Sequence, residues 1–439
     1  MEEQPKSVPL AATQFGYDPP RWAWAEPSVW TERMLTALEQ GVKGGCWFSL
    51  IDKVYSQRCL FAAACQVEAN KGTAGVDHVS VQAFGERREE EVSRLSDQLR
   101  KGEYRPQSVR RVHIPKPGSK ETRPLGIPTV RDRVVQAAVV KVIGPIFERD
   151  FAEQSYGFRP GRGCKDALRR VDQLLKAGYT FVVDADLKSY FDTIPHDRLL
   201  ARLRTKIGDG RVLSLIASFL QAGILDGTEE WTPEAGAPQG AVLSPLLSNV
   251  YLDPLDHLLA NLGIEMVRYA DDFVILCRTA AEAERALEIV RQWTADNGLT
   301  LHPAKTKIVD AATEGFDFLG YRFQRNHWGP REKSLQKLKD TLRRKTRRHS
   351  GESLPCIIAD VNLTLRGWFE YFKHSRVWYF RKLDGWLRQR LRSLLRKRTK
   401  RYGLASGGDQ LRWPNAFFTK HGLYSLVAAH ILASRSSRR

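Results

Sequence analysis

Residues 269–272 read Tyr269-Ala270-Asp271-Asp272, with largely apolar runs on either side at 264–267 and 273–277. Two adjacent carboxylates at the tip of a predicted hairpin repel each other, and a divalent cation removes that cost. A second acidic strand lies upstream, Phe181-Val-Val-Asp184-Ala-Asp186-Leu187. Asp184 and Asp186 share a face by the two-residue period of a strand, so that one is the ligand and the other structural. Two such strands, where they converge, can hold two Mg²⁺ ions roughly 3.5–4 Å apart, the arrangement that drives in-line nucleotidyl transfer. The chemistry indicated is that of a nucleic-acid polymerase. Alone, the tetrad competes with an ordinary solvated turn, because Asp suits turns. Its weight comes from its surroundings.

Phe191 follows Asp186 near the expected end of the acidic strand. An aromatic there can lie under a nucleotide sugar and leave little room for a 2′-hydroxyl; the plainer reading is core packing. Lys116 and Arg123 flank a Pro117-Gly118 turn, where two cations can meet an incoming triphosphate. Gln239 and Gly240 follow Pro238 in a tight turn, which lets backbone approach a nucleotide while Gln donates a hydrogen bond. Arg159 and Arg162 stand in a glycine-rich loop and are candidates for template phosphates, against the plainer reading of a surface loop.

The elements that must position these residues follow from pattern. A strand at 109–115 turns through Pro117-Gly118 into a return strand holding Arg123. The apolar positions Val134, Val135, Ala138, Val139 and Val142 give a helix after it. The acidic strand is expected to end at Tyr190-Phe191-Asp192, followed by a helical region at 197–221 and a helix at 244–259. Thr279 and Glu282 form a capping-box pattern opening a helix that Gly298 closes. Farther on, Leu365, Trp368, Phe369 and Phe372 keep helical spacing, as do Leu383, Trp386, Leu387, Leu391 and Leu394.

Charge separates the chain into two parts. Residues 331–439 carry 27 Lys and Arg against 7 Asp and Glu, net +20, while the remainder carries 42 against 43, net −1. Basic helices with interleaved aromatics form a nucleic-acid surface rather than a merely solvated tail. The six cysteines contain no C-x-x-C pair and read as reduced thiols of a cytosolic protein. No apolar run has the length of a membrane span, and the acidic start lacks a signal-peptide core.

Taken in order, the motifs resemble the successive blocks of a bacterial group II intron reverse transcriptase/maturase. The matching segments run from Tyr104-Arg-Pro-Gln and Val109-Arg-Arg-Val-His-Ile-Pro-Lys116, through Arg123-Pro-Leu-Gly-Ile-Pro, Ser155-Tyr-Gly-Phe-Arg-Pro-Gly161 and Asp184-Ala-Asp-Leu-Lys-Ser-Tyr-Phe-Asp192, to Pro238-Gln-Gly, Tyr269-Ala-Asp-Asp272, Gly298-Leu-Thr-Leu-His-Pro-Ala-Lys305 and Phe318-Leu-Gly-Tyr321. They cover about residues 60–400. Ala241 stands where a second Gly is expected.

The resemblance implies an α+β right-hand polymerase, with fingers and palm over 61–330 after an N-terminal extension at 1–60. A basic α-helical thumb or maturase domain at 331–400 and a short basic tail at 401–439 complete it. It implies Asp186, Asp271 and Asp272 as the catalytic carboxylates and Asp186, Asp271, Asp272 and the Leu187 carbonyl as ligands of two Mg²⁺ ions. Lys116, Arg123, Phe191 and Gln239 become the nucleotide site. Arg159, Arg162 and the primer-grip turn Leu319-Gly320-Tyr321 become template and primer contacts, and Arg343, Arg344, Arg347, Lys373, Arg388 and Arg396 an RNA-binding surface. The implied partners are group II intron RNA, a DNA target or primer and dNTPs, in the bacterial cytoplasm, with no membrane. An HNH endonuclease domain is not expected, since no C-x-x-C pair follows the basic helices. Two other readings compete with this RNA-directed DNA polymerase: a purely RNA-binding splicing factor, and a domesticated reverse transcriptase of a defence or diversity-generating system.

Overall fold

A computed structural model describes residues 21–42, 44–115, 122–324, 327–401 and 403–436. The chain divides into two compact units, parting between Val309 and Asp310.

In the first unit, a four-stranded sheet carries the acidic residues. Its order is Glu265–Tyr269, Asp272–Cys277, Phe181–Asp186, Lys307–Asp310. The central strands Asp272–Cys277 and Phe181–Asp186 run antiparallel, with Phe273, Val274, Ile275, Val182, Val183 and Ala185 buried. Helix Ala280–Asp296 packs on this sheet with Ala283, Ala286, Leu287 and Val290. The N-cap half of the capping pattern holds, since Thr279 Oγ1 accepts from Glu282 N–H at 3.2 Å; the Glu282 carboxylate reaches one residue farther back and accepts from Arg278 N–H at 2.9 Å instead of from Thr279.

A second sheet has the order Thr122–Ile127, Val109–Pro115, Ile224–Asp226, Glu229–Trp231. The first pair is the hairpin expected from Pro117-Gly118, with Ile114 opposite Arg123. The last pair forms a hairpin through Gly227-Thr228, with Asp226 opposite Glu229. The helices Gln57–Asn70 and Val130–Glu148 pack against each other beside it, contributing buried Leu60, Ala63, Ala64, Val135, Ala138 and Val142.

The second unit opens with a three-stranded antiparallel sheet, Phe316–Phe318, Tyr321–Gln324 and His327–Pro330. The helices Glu332–Lys345, Leu354–Phe372 and Val377–Arg398 then enclose a core of Leu338, Leu342, Ile357, Val361, Leu365, Phe369, Phe380, Leu387 and Leu391. Among the described residues, no helix is long and apolar enough to cross a membrane.

Candidate active site

The acidic edge is built by register. Asp186, the last residue of its strand, pairs with Asp272, and Asp272 pairs on its other side with Tyr269. Ala270 and Asp271 are the two turn residues between, with Ala270 at φ +60°. A two-residue hairpin matches the strand twist when its first turn residue has positive φ, so Ala270 bears strain that surrounding contacts must offset. Asp184 lies one pleat farther from the turn, opposite Val274.

Burial raises the Asp271 carboxyl above the usual carboxylate range, and the charge of Asp186 adds to this, against Arg123 and Arg268. Asp186 and Arg123 thus both act on the Asp271 carboxyl, in opposite directions. Lys305 also joins the site: its Nζ lies 2.5 Å from Asp186 Oδ2. Nothing in the local pattern announced that contact, although Lys305 stands in one of the family-like blocks.

The carboxylates suit a hard divalent cation, since they are oxygen donors whose mutual repulsion a cation relieves. Among the described residues, however, no three His, Cys, Asp or Glu side chains are gathered as a ready metal cluster. A cation held here would compete with Lys305 for Asp186. Leu187, the expected carbonyl ligand, is buried and bridges Leu301, while the flanking main chain is fixed by His302 N–H to Asp186 O at 2.7 Å and Lys188 N–H to Thr300 O at 2.8 Å.

Phe191 is not on a strand. The strand stops at Asp186, Ser189 adopts φ +49°, and a single helical turn, Tyr190–Thr193, carries the ring. Backbone bonds join both this turn and strand Thr122–Ile127 to the segment 237–239: Ala237 N–H donates to Phe191 O at 2.7 Å, and Gly126 N–H donates to Gln239 O at 2.6 Å. Gly240 has φ +106°, and a Cβ there would lie 2.5 Å from Gly126 O, so only glycine allows this approach. Phe191 and Gln239 consequently line one cavity of ≈ 580 Å³, together with Arg111, Asp192 and Trp231. Arg111 lies over the Trp231 ring, 4.7 Å from its centroid. Neither residue was singled out by the sequence; the cue was the Gly227-Thr228 hairpin that carries Trp231.

Other expectations need correction. Arg159 does not face a template. Its guanidinium is 3% exposed and donates to Glu148 at 2.7–3.1 Å and to the Ser155 carbonyl at 2.9 Å. Arg162 remains half-buried over Tyr156, donating to Glu153 O at 2.7 Å. Lys116 lies outside the described residues.

In the second unit, Leu319 and Gly320 form a turn with φ +46° and +83°. Leu319 O accepts from Tyr371 Oη at 2.7 Å, and Gly320 O from Ser334 Oγ at 3.0 Å. The Tyr321 ring is fully buried against Trp328, Tyr371 and Phe372, so it supports the turn instead of touching a primer. Arg343, Arg344 and Arg347 are exposed on or just after helix Glu332–Lys345. Lys373 pairs with Glu370 at 3.0 Å, and Arg388 lies 3.9 Å from Asp384. Arg396 differs, because it holds the buried Asp409 at 2.7 Å and so ties the helix Gly407–Arg412 to its own. Its first role is structural.

Residues 114–323 match the family "Reverse transcriptase (RNA-dependent DNA polymerase)", and residues 335–412 match "Group II intron, maturase-specific domain". Protein YkfC of Escherichia coli (strain K12) is 33% identical across 78% of this chain and 95% of its own. Group II intron-encoded protein LtrA of Lactococcus lactis subsp. cremoris is 38% identical across 47% of this chain, but the alignment spans only 34% of LtrA. Among solved structures, a partial Cas6-RT-Cas1–Cas2 complex aligns with 56% of this chain and 41% of that chain at 26% identity, with a TM-score of 0.37. By the family match, residues 114–323 form a reverse transcriptase domain. The chain belongs to the group II intron-encoded reverse transcriptase/maturase family, in which an RNA-directed DNA polymerase domain is followed by a domain serving intron splicing and mobility.

Proposed function

We propose that Asp186, Asp271 and Asp272 form the nucleotidyl-transfer site at which this chain extends a DNA primer on an RNA template. The observation that carries this reading is the register placing Asp186 opposite Asp272, one residue from Asp271. Distant segments thereby bring three carboxylates to one sheet edge.

The primer 3′-oxygen attacks the α-phosphorus of a dNTP, its proton is lost to solvent, and the bond to pyrophosphate breaks. Two Mg²⁺ ions, held by Asp186, Asp271, Asp272 and the Leu187 carbonyl, would neutralise charge on the attacking and leaving oxygens. Arg123 and Lys116 bind the triphosphate. Phe191 restricts the space at the 2′ position, and Gln239 hydrogen-bonds the nucleotide. Lys305 releases Asp186 as the site fills. The chain's own contribution is positioning and fixed charge.

In this reading the polymerase occupies residues 61–330 between an extension at 1–60 and a helical maturase region at 331–400, with a tail at 401–439. Arg343, Arg344 and Arg347, with Lys373 and Arg388, contact intron RNA phosphates, and Arg162 contacts the template. Leu319 and Gly320 present backbone to the primer.

The test is primer extension with dNTPs and Mg²⁺ on an RNA template. Asp186→Asn and Asp271→Asn should each lose about a thousandfold or more in rate, since several kcal/mol of charge stabilisation is at stake. Intron RNA affinity should stay near the parent value. Retained extension in either variant refutes the site.

A further inference from the structure

Behind the acidic turn lies an ion pair with no exposure to solvent. Arg268 and Asp256 each have 0% side-chain exposure. Arg268 Nε donates to Asp256 Oδ1 at 2.7 Å, and its Nη2 donates to Asp256 Oδ2. Its Nη1 faces the other way and donates to two acceptors at 2.9 Å, Asn249 Oδ1 and the carbonyl of Ala270. Asn249 in turn donates from Nδ2 to the Gly157 carbonyl at 2.8 Å. Asn249 and Asp256 lie on one face of helix Ser244–Asn261, about two turns apart.

Gly157 closes the circuit by contact. A Cβ at this residue would lie 2.3 Å from Ala270 N and 2.8 Å from Tyr269 C, so its backbone rests directly on the turn. The main chain of Arg268 joins the same loop: its N–H donates to Gln154 O at 2.9 Å, and its carbonyl accepts from Tyr156 N–H at 2.8 Å. One residue therefore grips the turn from inside and the abutting loop from the side.

A buried ion pair is weak evidence for stability, because desolvation offsets most of its attraction. What this pair does supply is a fixed direction. Asp256 anchors the guanidinium, and the remaining Nη1 donors reach the strained residue immediately before Asp271. We propose that Arg268, Asn249 and Asp256 are positioning residues that set the place of Asp271 relative to Asp186 without touching substrate. The proposal rests on the reading of this turn as the nucleotidyl-transfer site.

The experiment is steady-state primer extension by the full chain, with dNTP KM, primer-template Kd and Tm measured in parallel. Asn249→Ala leaves the Arg268–Asp256 pair intact and cuts the link to Gly157. Displacement of a reacting group by about 1 Å costs about 100-fold, so kcat should fall by that order while KM and Kd stay within about twofold. Should Asn249→Ala fail to fold, Gly157→Ala keeps every donor of the network and moves Ala270 directly; it should show the same split. An unchanged kcat per folded molecule, or losses in kcat and Kd that track the folded fraction, overturns the proposal. Asp271→Asn is assayed beside them. If it still extends primers, the nucleotidyl-transfer reading falls and this proposal with it; if it is dead while Asn249→Ala and Gly157→Ala are normal, only the positioning proposal fails.

Discussion

The two units use charge in opposite ways. Around the acidic turn, charges are few and individually assigned: Arg268 to Asp256 and Arg159 to Glu148 in the interior, Lys305 to Asp186 at the surface. Over residues 331–439 they are abundant and mostly outward, with Arg343, Arg344 and Arg347 exposed on a stretch whose net charge is +20. Bond-forming chemistry needs groups fixed to a fraction of an ångström, which only a low-dielectric network provides. Holding a long polyanion needs a field, and a field tolerates flexible side chains. An arginine beside the acidic turn is therefore read by its partners, and one at the end of helix Glu332–Lys345 by its exposure.

The sharpest test of that distinction is Arg159. Arg159→Ala removes a buried guanidinium and leaves the part-exposed Glu148 without its partner, and should destabilise the fold by about 2–3 kcal/mol, seen as a lowered denaturant midpoint. Template affinity of the folded fraction should be unchanged; a selective loss of template binding would return Arg159 to the nucleic-acid surface. Next comes Phe191. Phe191→Val opens the cavity it shares with Gln239 and should raise rNTP incorporation relative to dNTP by about 10–100-fold, measured by the ratio of kcat/KM values. An unchanged ratio would make the ring ordinary packing. The smallest effect belongs to Lys305. Its pair with Asp186 is 61% exposed on the lysine side, and such pairs are worth at most about 1 kcal/mol. Lys305→Ala should lower the half-saturating Mg²⁺ concentration for extension by about two- to fivefold, because the competing ammonium is gone. A rise would show that Lys305 helps assemble the site.

Much of the site was legible because its signals are local. Paired carboxylates between apolar runs give a hairpin tip, and the acidic strand alternates well enough to be seen as its partner. The cap at Thr279 was legible for the same reason. Its geometry depends on residues three apart. What escaped depended on contacts across the chain. Nothing in the sequence around Arg159 points to Glu148 at the end of the preceding helix, so an arginine in a glycine-rich loop looked like a phosphate ligand. Phe191 was placed on the strand because periodicity does not register the left-handed Ser189 that ends it. Tyr321 looked available because its turn is, yet the ring packs inward. Arg396 looked like one more cation on a basic helix, while Asp409 claims it from thirteen residues away. Arg268 carries no local signal, since a charge beside an apolar run is usually a solvated one, yet it is fully buried on Asp256.

The central claim is that polymerisation and intron RNA recognition reside in separable residues. It is tested most directly by measuring primer extension on a generic RNA template and intron RNA binding across a salt series, for Asp271→Asn and for Arg343→Glu/Arg344→Glu/Arg347→Glu. The account predicts a double dissociation. Asp271→Asn stops extending but binds intron RNA like the parent. The triple variant extends nearly normally, binds intron RNA weakly, and shows a salt slope shallower by about three, one for each lost phosphate contact. Equal losses of both activities in the triple variant, or extension by Asp271→Asn, would contradict it.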